Sequence, residues 1–397
     1  MRSSCRPIPF RALFVAGLLT AACGGLGAPP PRAELAPSAP SPEDLRWLPG
    51  PALAQARSSP QALALDGHVA VFGGFTDLAL YRSGPAEWID LSTGTSRPIA
   101  GDLPSDVRGA RVGDQLFAVG KGVAFALRPE PLDWQPLPAP VVGRSGFTVT
   151  AVAGGLVLAG GFGTDSYLAS VERFDVATSA WTAAAPMHLA RGEHAACTLE
   201  DGRVLVTGGV GSDDQFGKLQ VTIGADGQET VTQLAGAGGV GASAELYDPV
   251  TNTWTLLPPL PTPRRRHVCV ALADGGVLLV GGLLGAGSMP IVAADRWSPT
   301  SGWRSAGQAR APLRDLAAER LPDGRVVVVG GANDDALERV EVDVFDPDTS
   351  AWTPGPPLHT ARANLALVPA GGVVYAVGGQ AAFQALASVE ALAPVDR

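Results

Sequence analysis

Six arginines occupy one position of a repeating unit, and a guanidinium is the side chain best shaped to hold a carboxylate or phosphate through paired hydrogen bonds. Arg57, Arg144, Arg265, Arg314 and Arg362 each stand 16 residues before the first glycine of their unit's glycine pair, and Arg191 stands 17 before. Cations repeated in register on successive units gather in one place, and clustered like charges are costly without a counter-charge. Two readings follow. In the first, the six form a site for an anionic group, such as the carboxylates of a peptide or an acidic sugar, each desolvated contact contributing about 1.5 to 3 kcal/mol. In the second, each arginine is a structural part of its unit, with Asp165, Asp213, Asp214, Asp334 and Asp335 as neighbours for salt bridges.

Little else in the chain carries chemistry. Cys-x-x-Cys, His-Glu-x-x-His, Gly-x-Ser-x-Gly and Gly-x-x-x-x-Gly-Lys do not occur, so the usual zinc, serine-nucleophile and phosphate-loop signatures are missing. The segment Gly236 to Gly241 fits Gly-x-Gly-x-x-Gly but runs into a strand-like stretch, Ser243 to Asp248, rather than a helix, and its dinucleotide reading fails. His194 and His267 hold equivalent places in neighbouring units and are expected to face one another. Two histidines without a carboxylate partner more often pack than bind a metal, and neither a metal nor another cofactor is expected. Glu193 beside His194 is a candidate acid–base pair.

The elements that must position these residues are repeated strands. Trp47, Trp134, Trp181, Trp254, Trp303 and Trp352 stand 26 or 27 residues before Gly73, Gly160, Gly208, Gly281, Gly330 and Gly378, each followed by a second glycine. A worn copy, with Gly120-Lys121 in place of the pair and Pro104 in place of the arginine, fills the gap and makes seven units. A period of about 48 residues with strand-like runs belongs to propeller blades. Val204 to Thr207, Val277 to Val280 and Val326 to Val329 read as strands buried on both faces. Asp201-Gly202, Asp274-Gly275 and Asp323-Gly324 supply the tight hairpins before them.

Glu172-Arg-Phe-Asp175, Glu245-Leu-Tyr-Asp248 and Val342-Asp-Val-Phe-Asp346 precede Trp181, Trp254 and Trp352 through Asp-x-x-Thr-x-x-Trp. With the glycine pairs, this pattern resembles the kelch repeat over nearly everything after residue 44. The resemblance implies an all-β, seven-bladed propeller. Trp47 to Leu53 matches Trp352 to Leu358, while Ser388 to Pro394 is a third strand with no tryptophan strand after it. The N-terminal strand around Trp47 is therefore expected to complete the last blade and close the ring, hiding two sheet edges. In such a ring the first strands line the channel, so the six arginines are expected at one mouth, on the face of the loops joining second and third strands. One large insertion, between Gly211 and Ala242, is expected on that face; Lys218 to Ile223 and Gln228 to Leu234 read as its hairpin.

Composition sets the compartment and limits the partners. Fifty glycines and 35 prolines suit a turn-rich all-β domain, and a net charge of −9 opposes nucleic-acid binding. Residues 1–22 read as a secretory signal: Arg2, Arg6 and Arg11 precede an apolar run too short to span a membrane. Leu19-Thr-Ala-Ala-Cys23 resembles a bacterial lipobox, which implies lipidation of Cys23; Gly24 implies the outer membrane, and simple secretion is the alternative. Residues 23–44 read as a Pro/Ala-rich tether and 45–397 as the propeller. Contact with a membrane is expected through the lipid only, and the chain is expected to be a monomer. Cys197 and Cys269 lie on first strands of adjacent blades. An oxidising envelope would permit their disulfide, but their registers point to opposite faces of a strand, which favours two buried free thiols.

Two functional classes fit. The first is a non-catalytic, envelope-anchored protein presenting the arginine face to a protein or carbohydrate ligand; kelch-domain adaptors bind acidic peptides on the matching face. The second is a sugar enzyme, since kelch-like propellers include a sialic-acid mutarotase and copper oxidases resembling galactose oxidase. The oxidase would need a cysteine–tyrosine crosslink from only Tyr81, Tyr167, Tyr247 and Tyr375.

Overall fold

The computed structural model describes residues 45–394 except 80–81, 212–219, 224–228, 233–240, 285–288, 312 and 334–336. The expected signal and tether, Cys23, Tyr81, Asp213, Asp214, Asp334, Asp335 and most of the Gly236 to Gly241 segment lie outside the described residues. Seven four-stranded antiparallel sheets make up the fold. Blade 1 runs from Gln61–Leu65 to Ser96–Pro98, blade 2 from Val107–Val112 to Asp133–Leu137, and blade 3 from Thr148–Val152 to Ala180–Ala184. Blade 4 runs from Ala195–Thr198 to Thr253–Leu257, blade 5 from Val268–Ala271 to Gly302–Gln308, and blade 6 from Ala317–Arg320 to Ala351–Pro354. Blade 7 takes Ala366–Ala370, Val373–Val377 and Val389–Pro394 from the end of the chain and Leu45–Pro49 from its beginning.

Closure follows the expected route. Leu45–Pro49 pairs antiparallel with Val389–Pro394, with Trp47 opposite Leu392. The first strand of each blade packs against the first strands of both neighbours, blade 7 against blade 1 included. Four of the seven second strands, Val204–Thr207 and Val326–Val329 among them, are buried throughout, because each lies inside its own sheet and between two others. Within the insertion, Gln220–Ile223 and Glu229–Thr232 pair as a hairpin.

The tryptophans act as wedges between blades. The indole of Trp181 donates to the Pro138 carbonyl at 2.9 Å, Trp254 to Ala185 at 2.8 Å, and Trp352 to Ala306 at 2.6 Å. Each acceptor sits at the exit of the preceding blade. Trp47 does the same across the closure, donating to Pro356 at 3.0 Å. The glycine pairs mark the closest approach of blades. A Cβ on Gly160, whose φ is +61°, would lie 2.6 Å from the Arg191 carbonyl oxygen of the next blade.

The cysteine expectation is corrected. Cys197 and Cys269 form a disulfide, with Cα atoms 5.9 Å apart. Opposite registers predict that the two thiols stay apart, but propeller sheets stack face to face, so the front of one blade meets the back of the next. Side chains that point to opposite faces of equivalent strands are the ones that meet.

Candidate functional site

The structure divides the six sequence-identified arginines between two environments. Arg57, Arg144, Arg191 and Arg362 are buried, not gathered at the channel mouth. Each donates to the carbonyl of its blade's first glycine, and Arg264 does so in blade 5, at 2.8 to 3.1 Å. Each also pairs with an acid on its blade's third strand: Arg144 with Glu172 at 2.8 Å, Arg191 with Glu245 at 2.7 Å, Arg264 with Asp295 at 2.6 Å, Arg362 with Glu390 at 2.7 Å. Arg57 lies 3.7 Å from Glu87. Backbone amides complete these clasps, as where His188 and Leu189 donate to Glu245. The acids draw the guanidiniums outward into the sheet, because a buried cation is tolerated only when paired. Burial lowers the Arg191 pKa and Glu245 opposes that shift. Burial likewise disfavours ionisation of Glu245, yet His188, Arg191 and the amides hold its carboxyl below the usual range.

Blade 2 lost both partners together. Phe125 pairs with Ala118, two residues before Gly120, and so stands where the acids stand; Pro104 replaces the arginine. In blade 6 the acid Asp343 is kept and Arg310, not Arg314, reaches it. The carbonyl that receives the neighbouring glycine amide belongs there to Leu313, as it belongs to Arg191, Arg264 and Arg362 in other blades. Arg265 and Arg314 are thus one residue past the clasp position. The run Arg264-Arg265-Arg266 concealed this, and the 17-residue spacing of Arg191 was the signal for choosing Arg264.

That one-residue step moves Arg265 and Arg314 to the mouth. Arg265 bridges Leu283 and Arg314 bridges Ala332, each at the start of its blade's loop between second and third strands. The next residues form a collar with left-handed backbone: Ser59, Gly146, Glu193, Arg266, Asp315 and Asn364 have φ between 52° and 60°. The Glu193 amide donates to Gly146, Arg266 to Glu193, Asn364 to Asp315 and Ser59 to Asn364, each reaching back to the preceding blade at 2.8 or 2.9 Å. A glutamate and an arginine in this conformation are uncommon, and such strain is kept where the surroundings over-determine it.

The collar carries charge. Arg266 and Arg314 both donate to Asp315, at 2.6 and 2.8 Å, Arg265 pairs with Glu193, and Arg108 lies 3.3 Å from Asp106. These guanidiniums are 16 to 43% exposed, unlike those of the clasps. Beside them opens a cavity of about 390 Å³ lined by Gln61, Arg108, Thr148, Glu193, His194 and Arg266 among others.

His194 and His267 are both buried. His194 Nε2 meets the Thr148 hydroxyl at 2.9 Å and His267 Nε2 meets Thr207 at 2.8 Å. Burial, aided by Arg191, pushes His194 down to about 3, and burial with Arg264 pushes His267 well down too. Both rings are therefore neutral at pH 7. The proposed acid–base pair is not assembled: the Glu193 carboxylate is held by Arg265, and no hydrogen bond joins it to His194. Among the described residues, no three His, Cys, Asp or Glu side chains group to hold a metal ion. With Cys197 and Cys269 joined, they offer no thiol for the crosslink a galactose-oxidase-like copper site requires.

Sheets, collar and clasps define the class: the chain is a kelch-type, seven-bladed β-propeller. Residues 143–188 match the kelch motif, and this stretch holds the blade 3 clasp from Arg144 to Glu172. Kelch-like protein 35 of Mus musculus is 27% identical over 222 residues, 56% of this chain and 33% of that protein, so the match spans a third of the relative's length. Among solved structures, a fungal AA5-family alcohol oxidase in complex with copper is similar, with a TM-score of 0.65, 16% identity, and coverage of 88% of this chain and 76% of that one. The structure of YjhT is similar with a TM-score of 0.54 and 17% identity, covering 72% of this chain and 94% of that one. At these identities the likeness extends to the fold alone.

Proposed function

We propose that this propeller is a non-catalytic binding module, exported and held at the bacterial outer membrane through lipidated Cys23, whose channel mouth takes the carboxylates of a protein partner. One observation carries the reading: Arg108 and Arg266, 40 and 43% exposed, line one cavity, and Arg265 and Arg314 directly precede the left-handed collar residues Arg266 and Asp315. Arg266 and Arg314 share a single acid, Asp315. Incoming carboxylates exchange with these pairs. The five buried clasp arginines take no part. A protein is favoured over a free sugar because Met289, Leu337 and Phe383 are 55, 60 and 80% exposed on the loops between second and third strands of blades 5, 6 and 7. Apolar residues exposed on the loops of the same face as the mouth suit a protein contact. The Cys197–Cys269 disulfide supports an oxidising compartment.

Titration with a tetraglutamate peptide and with N-acetylneuraminate tests the site. The peptide is expected to bind the propeller, and Arg266→Ala or Arg108→Ala to weaken it about tenfold or more, with a steep loss in salt. Equal affinity in the variants would sink the reading. Acceleration of anomer exchange of N-acetylneuraminate, followed by NMR, would establish the sugar-enzyme class in its place.

A further inference from the structure

The opposite end of the channel holds a second cavity, of about 600 Å³, built by the hairpins between first and second strands of blades 4 to 7. Its walls are largely apolar, from Ala273, Leu321, Pro322, Pro369, Ala370 and Val373. Four charged residues line it: Glu200, Glu319, Arg320 and Asp323. Three are neutralised. Arg320 reaches across blade 5 to Glu200 at 3.3 Å, and Asp323 binds Arg325 at 2.6 Å.

Glu319 is the exception. It projects from the first strand of blade 6, and its one hydrogen bond among the described residues comes from the backbone amide of Arg320 at 3.0 Å. No cation among the described residues pairs with it. Burial pushes its carboxyl up, against the pull of the Arg320 amide and guanidinium. A partly buried carboxylate without a paired cation is costly, and the Arg320 amide and guanidinium offset this only in part. Every clasp acid of this protein has its arginine; this one faces open space.

We propose that this cavity binds a small organic ammonium cation, its charged nitrogen on the Glu319 carboxylate and its apolar body against Pro322, Pro369, Ala370 and Val373. The site is independent of the arginine mouth, since it lies at the other end of the channel. An ammonium satisfies the carboxylate with charge-assisted hydrogen bonds, and the proline and valine walls accept an alkyl chain of a few carbons.

NMR titration of the full-length protein with n-butylammonium and, separately, butan-1-ol tests this. The ammonium is expected to saturate resonances of Glu319 and Ala370, the alcohol to leave them in place, and Glu319→Gln to weaken ammonium binding about tenfold or more. Arg266→Ala, at the opposite mouth, is expected to change nothing. Glutamine keeps the shape of the side chain and an oxygen to accept the Arg320 amide, so the variant folds. Equal binding of alcohol and ammonium, equal affinity of Glu319→Gln, or no saturation at millimolar ammonium each overturns the proposal.

Discussion

At the scale of single residues, the molecule separates two uses of arginine that share almost one sequence position. A clasp arginine is dry, bonded to a glycine carbonyl and an acid; a collar arginine, one residue later, is half-exposed and faces the channel. Blade 2 carries neither charge, with Pro104 and Phe125 at the two positions, whereas blade 6 keeps its acid and draws the cation from Arg310. Arg191→Met is accordingly expected to cost about 3 to 5 kcal/mol, because Glu245 is left buried without its cation. Arg191→Met with Glu245→Leu is expected to cost less than the single change. A double-mutant cycle by urea denaturation measures the coupling, and additive effects would contradict it. The sequence showed that arginines recur in register, since spacing survives in a linear string. It did not show which way they point, because that depends on third-strand acids about 28 residues downstream whose pairing partner only the sheet reveals.

At the scale of elements, a propeller inverts an ordinary rule of strand reading. Within one sheet, residues on opposite faces never meet; between stacked sheets, they are the ones that do. This is why Cys197 and Cys269, out of register by one residue, are bonded. The blades themselves were legible because each Trp must reach back to a carbonyl of the preceding blade and each glycine pair must admit its neighbour's backbone, which fixes a constant interval. The collar was not, as left-handed Glu193 and Arg266 break the turn preferences by which such positions are usually found. The disulfide joins first strands 72 residues apart. Cys197→Ala with Cys269→Ala is expected to destabilise the fold by about 2 to 4 kcal/mol, with the same drop on adding reductant to the unmodified protein. A denaturation midpoint indifferent to reductant would show that the two sulfurs are not linked.

At the scale of the whole molecule, stability is a property of a closed ring and not of seven separate sheets. Each blade buries both faces against neighbours, so opening the ring at any seam exposes two apolar faces. The weakest seam by construction is blade 7, where the only covalent route between Leu45–Pro49 and Val389–Pro394 runs around all the other blades. Five backbone positions from Leu45 to Pro49, the buried Trp47 and its bond to Pro356 hold this seam. Without that strand, Val389–Pro394 becomes a free edge that still has a pairing register, the condition under which sheets recruit other chains. Deleting residues 1–50 is therefore expected to leave a protein that unfolds at lower urea and runs as aggregates on size exclusion. Trp47→Ala in the full chain is expected to lose about 3 to 5 kcal/mol while staying monomeric, since the edge remains covered. If the deleted form were monomeric and as stable as the full chain, the N-terminal strand would be an accessory to the ring and not its closure.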